Sequence, residues 1–370
     1  MTFIELPEID AFGPEQVIVV NDASSGLTGY VVVDNLAAGP AIGGVRMAAD
    51  VSVLEVARLA RAMTLKNAMA GLPHGGAKGG IVGDPTMPRE VKVALVRAFG
   101  SRIRDVVGYI PGPDMGLDEG LMAHLRETCG RAVGLPPVLG GIPLDVLGAT
   151  GFGLAISVEV AAERGLVDLQ GARIVVQGFG SVGQHTARFL SERGAVLVAA
   201  SDSRAAITSS DGLDVASLVA HKRATGTLAD FPGSTEIAAE SLLALPCDIW
   251  VPAARPDVFT VKNASELQAT ILLEGANIPA SPEAEELLHA NGVLVLPDFV
   301  ANAGGVICAA VEYAGGTSSQ AFAVIEERIR TNTAQMLDMA ADTGQPPRVV
   351  AQHLAQSRVM EAMSYHRMGG

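Results

Sequence analysis

At 370 residues, 49% of them apolar, the chain is too long for one ordinary core and predicts two domains with apolar surface left for an oligomer interface. A formal charge of −14 argues against nucleic acid as a partner, because phosphate binding needs clustered Lys and Arg. The scattered Cys129, Cys247 and Cys308 exclude a disulfide framework or zinc site, leaving no metal expected and a reducing cytoplasm as the natural setting.

The acidic start, MTFIELPEID, lacks the basic and apolar regions of a signal peptide. No uncharged run approaches the roughly 18 residues of a membrane span, so no membrane partner is expected. Residues 17–20 and 29–33 read as strands, joined by the turn signal Asn21-Asp22-Ala23-Ser24-Ser25-Gly26. A helix is predicted over 52–70, with Val53, Val56, Ala57, Ala60 and Met63 on its apolar stripe and Ser52 as N-cap. Glu55, Arg58 and Arg61 fall off that stripe. A second helix, roughly 88–104, precedes a strand-like stretch at 106–110. The Gly/Pro-rich segment 130–148 reads as a hinge between domains. After it, helix 150–164 leads into strand 173–177, helix 181–193 and strand 195–200, with further strands at 248–252, 271–274 and 293–296. That alternation predicts a doubly wound α/β domain. Two helices, about 318–342 and 347–364, close the chain.

Strand 173–177 runs into Gly178-Phe179-Gly180-Ser181-Val182-Gly183 and then a helix. In that context the first glycine serves the tight turn and the second lets a pyrophosphate approach the backbone. The third permits close helix–strand packing, with the helix N-terminus facing the anion. Asp202 ends the next strand, where an acid binds adenosine ribose hydroxyls. It would repel a 2′-phosphate, whereas Arg204 could pair with one. The reading favours NAD and leaves NADP open.

The most unusual stretch is Lys66 to Gly80, where Lys66 is the only charge in the closing turns of its helix and Lys78 stands among four glycines. A lysine closely surrounded by backbone is desolvated, which lowers its pKa and suits it to activate water or polarise a carbonyl. Asp114, in Pro111-Gly112-Pro113-Asp114-Met115-Gly116, follows a strand directly and is held by prolines, a good place for a positioned acid or base. Taken singly, Lys66 reads as well as a surface lysine, Lys78 as a loop residue and Asp114 as a turn residue. His74 reads as a packed histidine and Cys308 as core or pocket wall.

Together these segments resemble the glutamate/leucine/phenylalanine/valine dehydrogenase family over nearly the whole chain. The resemblance is carried by Gly39–Met47, Lys66-Asn67, Gly75–Gly80, Pro113-Asp114, Ala149-Thr150-Gly151, the glycine motif, Glu274–Asn277 and Asn302–Val306. It implies reversible oxidative deamination of an L-amino acid to a 2-oxo acid and ammonia. Lys66 would bind the α-carboxylate, Lys78 polarise the 2-oxo group and activate water, and Asp114 shuttle protons. Gly43 and Gly44 would line the substrate's approach. Thr150, Ala253, Ala254, Asn277 and Asn302 would surround the nicotinamide and its ribose.

The resemblance also implies a substrate and oligomerisation domain at 1–135, joined by a C-terminal helix of about 345–370. A Rossmann-type dinucleotide domain would occupy 136–344, with the active site in the cleft and a homo-oligomeric assembly. Glutamate members commonly carry a lysine before the paired glycines and a serine beyond Asn-Ala-Gly-Gly-Val. Here those places hold Ile42 and Ala309. A buried carboxylate facing them would lack partners, which costs several kcal/mol. The expected substrate is therefore an apolar, branched-chain or aromatic amino acid, with glutamate as the alternative. A nucleotide-binding sensor without activity is the competing class, disfavoured because Lys66, Lys78 and Asp114 are all present.

Overall fold

A computed structural model describes residues 5–366, so 367–370 of the expected C-terminal helix lie outside the described residues. By contacts the chain divides into two units. The first comprises residues up to Pro143 with 306–324 and the segment from Gln352 onward; the second comprises Leu144–Gly305 and Ile325–Ala351. Relative to the expected division at 135/136, the boundary falls inside the hinge segment, after Pro143, and 306–324 also belongs with the first unit. A buried carboxylate provides a reason. Glu312, on the helix Gly304–Tyr313, accepts from Leu135 N (3.1 Å) and Ile142 N (2.9 Å).

The first unit is built on a five-stranded sheet. Its strands are β1 (Gln16–Asp22), β2 (Leu27–Asn35), β3 (Ala41–Ala48), β4 (Gly76–Val82) and β5 (Tyr109–Pro113), in the order β1-β2-β4-β3-β5. β1, β2 and β4 pair antiparallel, and β4, β3 and β5 pair parallel. The β1–β2 turn closes where expected, because Asp22 Oδ2 accepts from Ser24 Oγ, Ser25 N and Ser25 Oγ. Alternation along β2 sends Val31 and Val33 into a core with Phe99, Leu121 and Leu125, while Val32 faces Val53, Val56 and Ala60. Helices Arg89–Arg102 and Glu119–Cys129 therefore cover one face, and Val53–Met69 covers the other.

Ser52 caps that last helix by accepting from Glu55 N, and its buried stripe runs through Val53, Val56 and Ala60 to Thr64 and Asn67. The glycine-rich segment around Lys78 is a central strand of the sheet, not a loop. The glycines are explained by close approach: a Cβ at Gly76 would lie 2.0 Å from the backbone N of Thr64. The strand expected at 106–110 starts only at Tyr109. Val106 N and Tyr109 N are engaged in turns, to Ile103 O and Val106 O, and Val107 is exposed.

The second unit carries a seven-stranded sheet. Its strands are β6 (Arg173–Gln177), β7 (Val196–Ser201), β8 (Ala206–Thr208), β9 (Thr235–Ile237), β10 (Cys247–Pro252), β11 (Ala269–Leu273) and β12 (Leu294–Leu296). Their order is β12-β11-β10-β6-β7-β8-β9. The five from β12 to β7 are parallel and apolar, and β8 and β9 add an antiparallel edge. Trp250 anchors the core, donating to Leu242 O (3.1 Å) and meeting Phe259 edge-on at 5.0 Å. β6 has its successor β7 on one side and the much later β10 on the other. The loop leaving its carboxyl end thus sits at a topological switch point, where doubly wound sheets bind ligands.

Candidate active site

In the first unit the reactive residues meet on the three parallel strands. Lys78, in the middle of β4, is buried, with its Nζ 2.9 Å from Oδ2 of Asp114 just past β5. β3 runs between them and presents Gly43 and Gly44. A Cβ at Gly44 would lie 2.8 Å from Asp114 Cβ and 3.3 Å from Lys78 Nζ, so glycine at this place lets the two side chains meet.

Arg46 joins the pair: its Nε is 3.0 Å from the same Asp114 Oδ2, and its Nη1 is 2.7 Å from Glu55 Oε1. Burial drives the Lys78 pKa below the usual lysine range, and the Asp114 charge offsets only part of that. Burial pulls Asp114 upward, but Lys78 and Arg46 outweigh it, and the carboxyl stays below its ordinary value. Burial would likewise depress Arg46, yet Asp114 and Glu55 raise it overall. The resting pair is thus a firmly ionised carboxylate beside a lysine whose proton is loosened, and the two titrate together. Such a pair can take up and return a proton at Nζ and Oδ2 in turn.

Lys66 lies in the last turn of its helix and is half-buried. Its neighbour Asn67 fixes that turn, donating from Nδ2 to Gly75 O (2.7 Å) and Ile42 O (3.3 Å). Ile42 and Ala309 are both buried. His74 is packed, its Nδ1 2.9 Å from Pro40 O and its ring edge-on to Tyr313, and burial lowers its pKa. The sequence reasoning missed Arg46 as a site residue and placed Glu55 on the polar face of its helix. A signal for Arg46 was present: two residues after Gly44 on one strand, it points to the same face.

In the second unit the glycine motif folds as a strand-to-helix turn, with Gly180 as N-cap of Ser181–Ser191. A Cβ at Gly178 would meet Ala254 N at 2.8 Å, and one at Gly183 would meet Gly178 O at 2.1 Å, while one at Gly180 would meet nothing within 4 Å. The first and third glycines are thus needed by the chain's own packing. The second opens to space, as close approach of a pyrophosphate requires. Phe179 is fully buried, Ser181 Oγ donates to Asp145 O (3.2 Å), and Val182 packs near Gly275.

Ala253 N donates to Gln177 O (2.7 Å), which sets Ala253 and Ala254 beside the motif. Asn302 Nδ2 reaches Gly275 O (3.2 Å) and Asn277 Oδ1 (3.1 Å), leaving its buried Oδ1 without a donor. Thr150 packs against Gly304 and Gly305. An open pyrophosphate cradle and an orphaned amide oxygen both fit a nicotinamide dinucleotide.

Asp202 departs from its expected role. Its Oδ1 accepts from Arg204 N (2.8 Å) and Ala205 N (3.0 Å), and its Oδ2 accepts from Leu228 N (3.0 Å) and pairs with Lys222 Nζ (3.1 Å). Four donors fill the capacity of a carboxylate, leaving no lone pair for ribose hydroxyls. Burial pushes this acid up, but those backbone N–H groups and Lys222 bring its pKa below the ordinary value. The Arg204 side chain is exposed.

Residues 140–367 match the family model Glutamate/Leucine/Phenylalanine/Valine dehydrogenase, and residues 14–131 match the Glu/Leu/Phe/Val dehydrogenase dimerisation domain. The chain is 40% identical to a glutamate dehydrogenase of Aeropyrum pernix over 353 residues, 89% of this chain and 84% of that protein. It is 41% identical to a glutamate dehydrogenase of Thermotoga maritima over 300 residues, 77% of this chain and 72% of that one. Among solved structures, the hetero-hexameric glutamate dehydrogenase of Thermus thermophilus, in its Leu-bound form, superposes with a TM-score of 0.85 at 32% identity. That match covers 94% of this chain and 89% of the other.

Proposed function

We propose, for a chain that belongs to the Glutamate/Leucine/Phenylalanine/Valine dehydrogenase family, the reversible NAD(P)-dependent oxidative deamination of L-glutamate to its 2-oxo acid and ammonia. The family acts on the CH–NH2 group of amino acids. The chemistry rests on the buried Lys78–Asp114 pair at 2.9 Å. In this reading Lys66 holds the substrate α-carboxylate. Lys78 Nζ faces the carbon undergoing reaction, polarises its oxygen and draws a proton from water, and Asp114 Oδ2 exchanges protons with the nitrogen. Arg46 keeps Asp114 ionised between turnovers. Gly178, Gly180 and Gly183 seat the pyrophosphate, and Thr150, Ala253, Ala254, Asn277 and Asn302 orient the nicotinamide half. The dinucleotide supplies the hydride acceptor. With Asp202 engaged by its own loop, the preference for NAD expected from it loses its basis, and the site is read as accepting NADP as well. The match to a dimerisation domain supports a homo-oligomer.

The choice of glutamate rests on the two relatives at 40% and 41% identity, and it displaces the apolar amino acid expected from the sequence. The apolar reading is kept second because Ile42 and Ala309 are both buried and give a side-chain carboxylate no partner. Reductive amination of a panel of 2-oxo acids, run with NADH and NADPH, separates the two. Turnover of 2-oxoglutarate above 4-methyl-2-oxopentanoate and phenylpyruvate supports the first reading, the reverse order supports the second, and no turnover of any overturns both.

A further inference from the structure

Behind the loop that carries Asn277 lies a buried group of charges with no part in the chemistry above. Arg348, on the helix Pro347–His366, faces three carboxyls. Its Nη2 is 2.6 Å from Glu274 Oε2 and 2.8 Å from Asp298 Oδ1, and its Nε bonds Glu285 Oε1. Glu274 is wholly buried and the Glu285 and Asp298 side chains nearly so. One guanidinium cannot neutralise three carboxylates. Glu274 Oε1 and Glu285 Oε2 are buried with no donor from the rest of the protein, and these two carboxyls face each other. A proton shared between them satisfies both oxygens.

The group grips both ends of the Gly275–Ile278 loop. At the near end is Glu274 itself, whose Oε2 also accepts from Asp298 N (2.9 Å). At the far end Asp298 Oδ2 accepts from Ile278 N (2.9 Å). Ile278 stands at φ +50°, a left-handed conformation that a β-branched residue adopts only under strain of order 1–3 kcal/mol. Asp298 O further accepts from Asn302 N (2.8 Å), and Asn302 in turn holds Gly275 O and Asn277 Oδ1.

We propose that Arg348, Glu274, Glu285 and Asp298 form a positioning clamp that sets Asn277 and Asn302 for the nicotinamide half of the dinucleotide, and that the clamp holds only while Glu274 and Glu285 share a proton. The inference rests on the dinucleotide reading given above. Burial, helped by the Asp298 charge and opposed by Arg348, raises Glu274 well above the usual range and Glu285 to about 7. Arg348 is held above its ordinary value even though burial opposes its charge. Glu285 therefore gives up its own proton near neutrality, the two carboxyls then share the one that Glu274 retains, and that last proton leaves only as pH rises further. Two like charges then oppose each other in a dry site, and the strained loop is released.

The test is dinucleotide affinity, read by quenching of NADH and NADPH fluorescence on the full chain from about pH 6 to 10, with kinetics alongside. Wild type is expected to lose affinity about tenfold across that range, a change of about 1.4 kcal/mol. Glu274→Gln, neutral at every pH and of the same shape, is expected to bind as wild type does in acid and to keep that affinity in base. Asp298→Ala, which loses an ionic hydrogen bond to the loop, is expected to raise the dinucleotide KM roughly tenfold or more while the amino-acid KM stays put. A pH dependence in Glu274→Gln equal to that of wild type overturns the clamp. So does an unchanged dinucleotide KM in a folded Asp298→Ala. Wild type that binds neither dinucleotide at any pH overturns the cofactor reading itself, and the clamp with it.

Discussion

Replacing Gly44 by alanine places one methyl group where the structure has no room. The new Cβ would lie 2.8 Å from Asp114 Cβ, 2.8 Å from Pro113 O and 3.3 Å from Lys78 Nζ. Carbon atoms settle at about 3.5–4.0 Å, so Asp114 must retreat by roughly 0.7–1.2 Å. Overpacking of this kind costs about 1–3 kcal/mol. For a unit of this size that corresponds to a fall in Tm of roughly 2–12 °C. The retreat also opens the 2.9 Å contact between Lys78 and Asp114, and a misplacement near 1 Å costs about 10²-fold in rate. The expected variant is folded and binds dinucleotide as wild type does, because its cofactor residues are elsewhere in the chain, but its kcat falls on the order of a hundredfold. Thermal unfolding, fluorescence titration with NADH and steady-state amino-acid oxidation measure the three quantities. A variant with wild-type kcat would refute the claim that Gly44 sets the Lys78–Asp114 geometry, whatever its Tm. Gly43→Ala is a useful contrast, since its Cβ would lie 1.6 Å from Ala77 O on the next strand and should prevent folding altogether.

Two further outcomes follow from the same geometry. Lys78 must lose a proton to activate water, so the rising limb of the pH profile for amino-acid oxidation should lie below the ordinary lysine value of 10.5. Asp114→Asn removes the anion that helps hold that proton, so the limb should move to still lower pH while kcat drops about 10²–10⁴-fold. A limb that moves upward contradicts the pairing. In the glycine motif, Gly180→Ala meets no protein atom within 4 Å, so Tm should hold while the dinucleotide KM rises. Gly183→Ala, 2.1 Å from Gly178 O, should lower Tm first. Equal stability losses in the two variants would show that Gly180 serves packing rather than the ligand.

Much of the second unit could be read along the chain because its evidence is local. Parallel strands buried on both faces are continuous apolar runs, so 173–177, 248–252 and 271–274 came within two residues of the observed bounds. The glycine motif sits between a strand and a helix whose patterns are legible within a short window. The first unit was harder. β3 and β4 escaped notice because glycine, which has no strand preference, fills positions where a helix backbone and a neighbouring strand press close. Burial at Thr64 and Asn67 reversed the usual meaning of polar residues, since their partners lie on other elements of the unit.

By itself the sequence determined the chemistry available: a lysine among glycines, a carboxylate behind prolines, a phosphate-binding turn, and through their order the dehydrogenase family. Those are matters of residue type and short spacing. Only the tertiary structure decided what each charge faces. It set Arg46 and Lys78 on one oxygen of Asp114 and filled Asp202 with its own backbone and Lys222. It also brought Glu274, Glu285 and Asp298 around Arg348. The physical reason is that a charge's behaviour depends on burial and on neighbours within a few ångströms. Such neighbours come from strands and helices far apart in the chain, where no local pattern records them.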